Sequence, residues 1–321
     1  MSLSLKSRAK GAIWGVCVAD ALGGPVQFRD AGTFEPITTL RYVAPFDQPA
    51  GSYSDDGSMT LALACSFSKS DMQYNHMLSI QYFVEWLTQG HFSTVNHSWD
   101  VGRSTRISLT QWIKYGMEKG NFELAQVMVI DRLNYKEYSG NGSLMRIVPI
   151  GVAYWYDSTL AREVARKHSQ ITHPSLSCVE ACEAYTDLVC RIMNGQTKKQ
   201  LFHALSVFPF THPELTERMS LYRYRTISDW KAKAPSDMTS SGWVVDTLEC
   251  AMWAFFKYDT WKDGALAVVN LGGDSDTAGA VYGGLAGSFY GFASIPAEWV
   301  AGMQNKGFIG SIADALSDGI A

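Results

Sequence analysis

The sequence predicts an all-α fold, and three observations carry that expectation. Across residues 73–88, Met77, Ile80, Phe83, Val84 and Leu87 recur with helical period on one face, and residues 178–194 and 243–257 read the same way. Alternating strand patterns joined by two-residue turns are scarce. Glycine- and proline-containing breaks at 23–25, 140–142, 272–273 and 295–296 punctuate the helical stretches. Residues 231–241 (KAKAPSDMTSS) read as a surface loop, and no repeat of fixed period is found.

Composition narrows the class. Of 321 residues, 46% are apolar and 18% charged, a balance that suits a soluble globular enzyme and excludes general disorder. A net charge of -4 leaves no footprint for duplex nucleic acid or an anionic membrane, and the basic cluster Lys6, Arg8 and Lys10 is too short to supply one. Cys17, Cys65, Cys178, Cys182, Cys190 and Cys250 form no CxxC pair and read as buried thiols of a reducing compartment. The N-terminus has a basic start without a long apolar run, so no signal peptide is expected and a cytoplasmic location follows.

One segment has the length of a membrane span. Residues 277–295 carry no formal charge, and Gly279, Gly283, Gly287 and Gly291 fall at a strict four-residue spacing. The run is rich in Gly and Ala, Asp274 and Asp276 lie just before it, and basic flanks are missing. The expected structure is a buried helix whose glycine stripe admits a neighbouring backbone.

Two acidic clusters concentrate the chemistry. Ser54-Asp55-Asp56-Gly57-Ser58-Met59 leads into the apolar run TLALACSF, and Gly272-Gly273-Asp274-Ser275-Asp276-Thr277 leads into the glycine-striped helix. A helix start uses one or two acceptors, so capping accounts for part of each cluster. Adjacent carboxylates repel when desolvated and persist mainly where a cation compensates them. The surplus is therefore either capping in excess or half of a shared cation site. Brought together, the four carboxylates with the Ser54 and Thr277 hydroxyls could hold two hard ions such as Mg²⁺ or Mn²⁺, for which oxygen ligands are suited.

Further motifs lie between these clusters. An apolar helix runs into Asp20-Ala21-Leu22-Gly23-Gly24-Pro25-Val26-Gln27-Phe28. Asp100-Val101-Gly102-Arg103-Ser104-Thr105 follows, then Gly140-Asn141-Gly142-Ser143-Leu144-Met145-Arg146-Ile147-Val148-Pro149, then Thr172-His173-Pro174. With the two acidic clusters these make six elements in order over some 260 residues. In that order they resemble the ADP-ribosylglycohydrolase family, whose patterns include GDALG-x-P-x-E, (T/S)-D-D-T-x-M, GNG-x-x-M-R-x-x-P and GGD-(T/S)-D-T.

The resemblance implies a single compact, orthogonal multi-helix domain over residues 1–321, because the two halves of one site lie at opposite ends of the chain. It implies a site for two Mg²⁺ or Mn²⁺ held by Ser54, Asp55, Asp56, Asp274, Asp276 and Thr277. The loop Ser139, Gly140, Asn141, Gly142 and Ser143 would cradle the diphosphate and ribose of ADP-ribose, since a glycine-rich turn offers N–H groups with no side chain in the way. His173 would reach the phosphate or ribose, and Gln27 would contact substrate. The implied reaction is hydrolysis of the bond between ADP-ribose and a protein side chain or small molecule, with Asp55, Asp56 and Asp276 as candidates to take a proton from water.

Each residue also has a plainer reading. His173 before a proline is otherwise a structural histidine, and His212-Pro213 repeats the Thr-His-Pro triplet. Asn141 can serve as a left-handed turn residue. Asp20 is expected to be structural, holding the neighbouring loop. The chain also departs from the family pattern twice. Gly57 stands where Thr is usual, with Ser58 as a possible substitute, and Gln27 replaces a Glu, which removes a group able to exchange protons. A two-metal phosphohydrolase acting on the diphosphate is one rival function. A non-catalytic ADP-ribose binder or crystallin-like structural protein is the other.

Overall fold

The structure is a computed structural model of the chain and describes residues 3–320. In chain order the helices are α1 (Leu5–Gly23), α2 (Asp55–Ser68), α3 (His76–Gln89), α4 (Arg103–Gln111), α5 (Phe122–Leu133), α6 (Val148–Ala153), α7 (Ser158–Ser169) and α8 (Leu176–Met193). They continue as α9 (Lys198–Ser206), α10 (Pro213–Met219), α11 (Ile227–Ala232), α12 (Val244–Lys257), α13 (Trp261–Val269), α14 (Ser275–Tyr290), α15 (Ala297–Gly302) and α16 (Lys306–Gly319). No strand occurs among the described residues, and the helices enclose one continuous apolar core. The three periodic segments fold as α3, α8 and α12. On α3 the buried residues include Ile80, Phe83 and Val84, whereas Met77, at the first turn, is exposed.

The glycine-striped segment folds as α14 and lies antiparallel against α1. Glycine meets glycine along the crossing: a Cβ at Gly11 would collide with the Gly287 carbonyl, and one at Gly15 with the Gly283 carbonyl. At Gly279 the intruder would be the Ala19 carbonyl, and at Gly23 the backbone of Asp276. Two backbones this close leave no room for side chains, which is why a run so poor in bulk can lie at the centre of the protein. Among the described residues no helix is long and apolar enough to cross a membrane.

This crossing sets the position of everything that follows. Because the helices are antiparallel, the C-terminal turn of α1, with Asp20, is pressed against the N-terminus of α14. The N-terminus of α2 joins them, since the Asp20 carboxylate accepts the N–H groups of Ser54 (2.9 Å) and Gly57 (2.9 Å). Three helix ends thus converge, and two of them carry the acidic clusters.

Candidate active site

Capping accounts for one residue of the first cluster and none of the second: Ser54 Oγ accepts from Asp56 N, whereas the Asp274 side chain makes no capping hydrogen bond. Ser54 is the N-cap of α2 and Asp274 that of α14. Asp55, Asp56 and Asp276 sit in the first turns, and with Asp20 all are buried. Carboxylate oxygens of Asp20, Asp56 and Asp276 lie within 4.8 Å of one another. The Ser54 hydroxyl donates to Asp56 Oδ2 (3.0 Å), and the Thr277 hydroxyl reaches Asp274 Oδ1 (3.2 Å) and Asp56 Oδ2 (3.5 Å). Asp56 Oδ1 is buried with no hydrogen-bond partner. Among the described residues no Lys or Arg forms an ion pair with any of these acids.

Burial and mutual repulsion raise the proton affinity of the group. Asp20 is pushed up to about 7 by burial, against its hydrogen bonds from Gly57 and Ser54. Asp55, Asp56 and Asp276 are driven well above the ordinary carboxylate range, first by burial and then by neighbouring carboxylates, foremost Asp100 for Asp55, Asp20 for Asp56 and Asp274 for Asp276. A buried set of this kind must be neutralised by protons or by cations, and an all-oxygen donor set with an orphaned carboxylate oxygen fits hard cations.

A cleft of about 500 Å³ opens above the cluster. Asp55, Asp274 and Thr277 line its floor, whereas Asp56 and Asp276 lie beneath and do not reach it. Of the three carboxylates expected to take a proton, Asp55 alone therefore faces the cleft. Gln27 and Asp100 form one wall, and Gly140, Asn141, Gly142 and His173 form another. Asp100 adopts a left-handed backbone (φ 53°), which Asp tolerates, and accepts a hydrogen bond from Gln27 Nε2 at 2.7 Å. Burial raises its carboxyl to about 6 against the opposing Gln27 bond. Asp100 was absent from the expected site residues. Its signal was the Asp-x-Gly motif before α4, which says nothing about where the side chain goes.

The glycine loop divides into two parts. Gly140, Asn141 and Gly142 face the cleft, and the N–H groups of Gly140 and Gly142 meet no backbone acceptor among the described residues. The side chains of Ser139 and Ser143 point inward instead: the Ser139 hydroxyl donates to Ser175 Oγ (2.9 Å), and Ser143 Oγ accepts from Ser169 (2.9 Å). Asn141 is engaged through its side chain, Nδ2 donating to Asp274 Oδ2 (2.6 Å) and Thr247 Oγ1 (2.9 Å). His173 packs its ring against Gly142, where a Cβ would lie 2.7 Å from Cε1. The second Thr-His-Pro triplet is separate, with the N–H groups of Thr211 and His212 both donating to Glu180.

Residues 231–241 are largely exposed, as expected of a surface loop, and their end also lines the cleft: Ser240 O accepts from Asp274 N (3.3 Å), and the adjoining Gly242 O accepts from Asn141 N (3.1 Å). One sequence expectation is corrected. Ser58 does not substitute for the missing Thr, since its hydroxyl turns back to Ser54 O (2.6 Å). The Gly57 departure has a steric cause, because a Cβ there would lie 2.7 Å from the Tyr53 ring. Asp20 does hold the neighbouring turn, as expected, yet it is also a member of the acidic cluster.

Comparison with known proteins decides the family. The ADP-ribosylglycohydrolase family model matches residues 1–321. The chain belongs to the ADP-ribosylglycohydrolase family. As such it is a glycohydrolase, an enzyme that hydrolyses glycosyl bonds. An ADP-ribosylarginine hydrolase Tri1 of Pseudomonas putida (strain GB-1) is 29% identical, over 97% of this chain and 78% of its own. The ADP-ribosyl-dinitrogen reductase glycohydrolase of Rhodospirillum rubrum is 25% identical, over 94% and 92%. A solved structure described as an ADP-ribosylglycohydrolase-related protein complex superposes with a TM-score of 0.80 at 27% identity, over 99% of both chains. This glycohydrolase therefore shares its all-helical fold with the family over essentially its whole length.

Proposed function

We propose that this glycohydrolase cleaves the bond between ADP-ribose and a modified side chain, with arginine as the first acceptor to test, and releases ADP-ribose. The observation that carries the reading is the convergence of two acidic helix N-termini, drawn from opposite ends of the chain, on the floor of a cleft walled by a glycine loop. The arginine preference rests on the names of the Tri1 relatives.

Two Mg²⁺ or Mn²⁺ ions would be held by Ser54, Asp55, Asp56, Asp274, Asp276 and Thr277, with Asp20 beneath. Bound there, they supply positive charge that orients the ribose hydroxyls and acidifies water. The remaining work belongs to the chain. Gly140, Gly142 and His173 offer donors to the diphosphate, which sets the ribose over the acidic floor. Water adds to the anomeric carbon as the bond to the acceptor breaks, through an oxocarbenium-like transition state. Asp100, its carboxyl raised to about 6 by burial at the cleft wall, takes the water's proton and passes it to the departing side-chain atom, with Asp55 as the alternative base. Gln27 takes no proton and orients Asp100.

The test is product analysis on peptides carrying ADP-ribosylated arginine or serine, with Mg²⁺ or Mn²⁺ supplied. Free ADP-ribose is expected. Release of AMP would mean diphosphate cleavage and would sink the proposal.

A further inference from the structure

Arg146 is fully buried under the glycine loop, and none of its hydrogen-bond partners is a carboxylate. Its Nη1 donates to the Gly142 carbonyl (2.6 Å), its Nε to His168 Nε2 (3.1 Å) and its Nη2 to Thr172 Oγ1 (2.7 Å). The guanidinium lies over the Phe83 ring. A buried cation that forms no ion pair is costly, so its bonds invite a reason beyond packing.

The reason lies one bond further on. Thr172 Oγ1 stands 2.8 Å from His173 Nδ1, and both residues are buried. The oxygen already accepts from Arg146, and the hydroxyl has one hydrogen to give. Were His173 to donate to it as well, that hydrogen would be left buried without an acceptor, an arrangement native interiors avoid. The satisfied order is Arg146 to Thr172 to His173 Nδ1. The ring proton of His173 then belongs on Nε2, the nitrogen nearest the loop: a Cβ at Gly142 would lie 3.2 Å from it, and one at Gly140 3.7 Å.

We propose that Arg146 and Thr172 are positioning residues that lock His173 in its Nε2–H tautomer, aiming one neutral donor into the cleft at an anionic phosphate oxygen of the ligand. Burial and the charge of Arg146 hold His173 down to about 3, so the ring stays neutral through the working range. Neutrality is what makes the tautomer matter, since a protonated ring would donate from both nitrogens. The same guanidinium fixes the Gly142 carbonyl, so loop and donor keep one spacing. The ligand half of this inference rests on the function proposed above, while the tautomer half stands on the ligand-free protein.

Long-range ¹H–¹⁵N spectra of the ligand-free protein read the tautomer directly. His173 is expected to carry its proton on Nε2. Thr172→Val removes the hydroxyl at nearly constant shape and should shift the ring to Nδ1–H or to a mixture, with ADP-ribose Kd raised about tenfold. Thr172→Ser should restore both readings. Arg146→Met should release the hydroxyl and reproduce the Val result, and Thr172→Val keeps the test available if Arg146→Met does not fold. An Nδ1–H ring in the parent protein, or an unchanged ring in Thr172→Val, overturns the relay. A shifted tautomer with unaltered ADP-ribose affinity overturns the ligand half. Absence of any ADP-ribose binding in the parent counts against the proposed function and leaves the relay standing.

Discussion

The side-chain amide of Gln27 donates to Asp100 Oδ2 across 2.7 Å, joining the end of one motif to the start of another 73 residues away. The pair explains how an amide can occupy a position where the motif this chain resembles has Glu. An acid at 27 would stand within hydrogen-bonding distance of Asp100, and two such carboxyls share a proton instead of ionising together. Gln27 leaves Asp100 free to ionise on its own.

Changing that pair should alter proton transfer more than binding. Gln27→Ala is expected to slow turnover modestly. Gln27→Glu should stay within about one order of magnitude at neutral pH, with the acid limb of its pH–rate profile moved to higher pH. General acid–base help is typically worth roughly 10²–10⁴-fold, so a gain of that size in Gln27→Glu would mean the parent chain acts mainly as a binder.

Metal binding should be joint between the two ends of the chain. A ligand that binds only the folded state adds about 2.7 kcal/mol at a hundredfold excess over Kd, so Mg²⁺ or Mn²⁺ should raise Tm. Asp55→Ala and Asp274→Ala should each blunt that rise in thermal scans. Full retention of the shift in either variant would rule out a shared site.

The size of the metal effect should depend on pH. Asp20 and Asp100 rise from an ordinary 3.8 to about 7 and about 6 in the folded chain. Their protonated forms stabilise the metal-free fold fully below about pH 4, and that contribution is lost as pH rises through 6 and 7. Metal-free Tm should therefore fall across this window by way of these groups. The Mg²⁺-induced rise should be larger at pH 8 than at pH 5.5, and an equal rise at both would contradict the raised proton affinities.

Asn141 and His173 should separate cleanly. Asn141 holds Asp274, so Asn141→Ala is expected to weaken ADP-ribose binding and also to blunt the metal-dependent Tm rise. His173→Ala should leave the metal response intact and cost ADP-ribose about tenfold in affinity, the effect of one hydrogen bond to a charged group. Calorimetry with ADP-ribose and scans with Mg²⁺ distinguish the two. Unchanged affinity in both variants would remove the loop from the site.

The helix crossing makes its own prediction. Gly15→Ala or Gly283→Ala drives a Cβ into the opposing backbone, and overpacking of this kind costs about 1–3 kcal/mol or more in urea unfolding. Gly307→Ala on α16 meets open space and should be neutral, or stabilising by up to about 1 kcal/mol through helix propensity. Equal effects at both places would mean the α1–α14 contact is looser than described.

Much of this was legible along the chain, because it depends on local period and local chemistry. The helical repeats marked α3, α8 and α12, the four-residue glycine spacing marked a helix made for close contact, and surplus carboxylates at two helix starts marked the cluster. Folding alone decided which way side chains face and which distant residues meet them. Ser139 and Ser143 flank the glycines yet turn inward, because Ser175 and Ser169 wait there from other segments. Asp20 joins the cluster because α1 crosses α14 glycine to glycine, and Asp100 reaches the cleft wall as a left-handed residue before α4. Residues 240–242 close the cleft for the same kind of reason: Asn141 and Asp274, from two other segments, donate to their carbonyls. A sequence carries the period and the chemistry of each segment, but orientation is settled by partners tens to hundreds of residues away, and only packing brings those partners into reach.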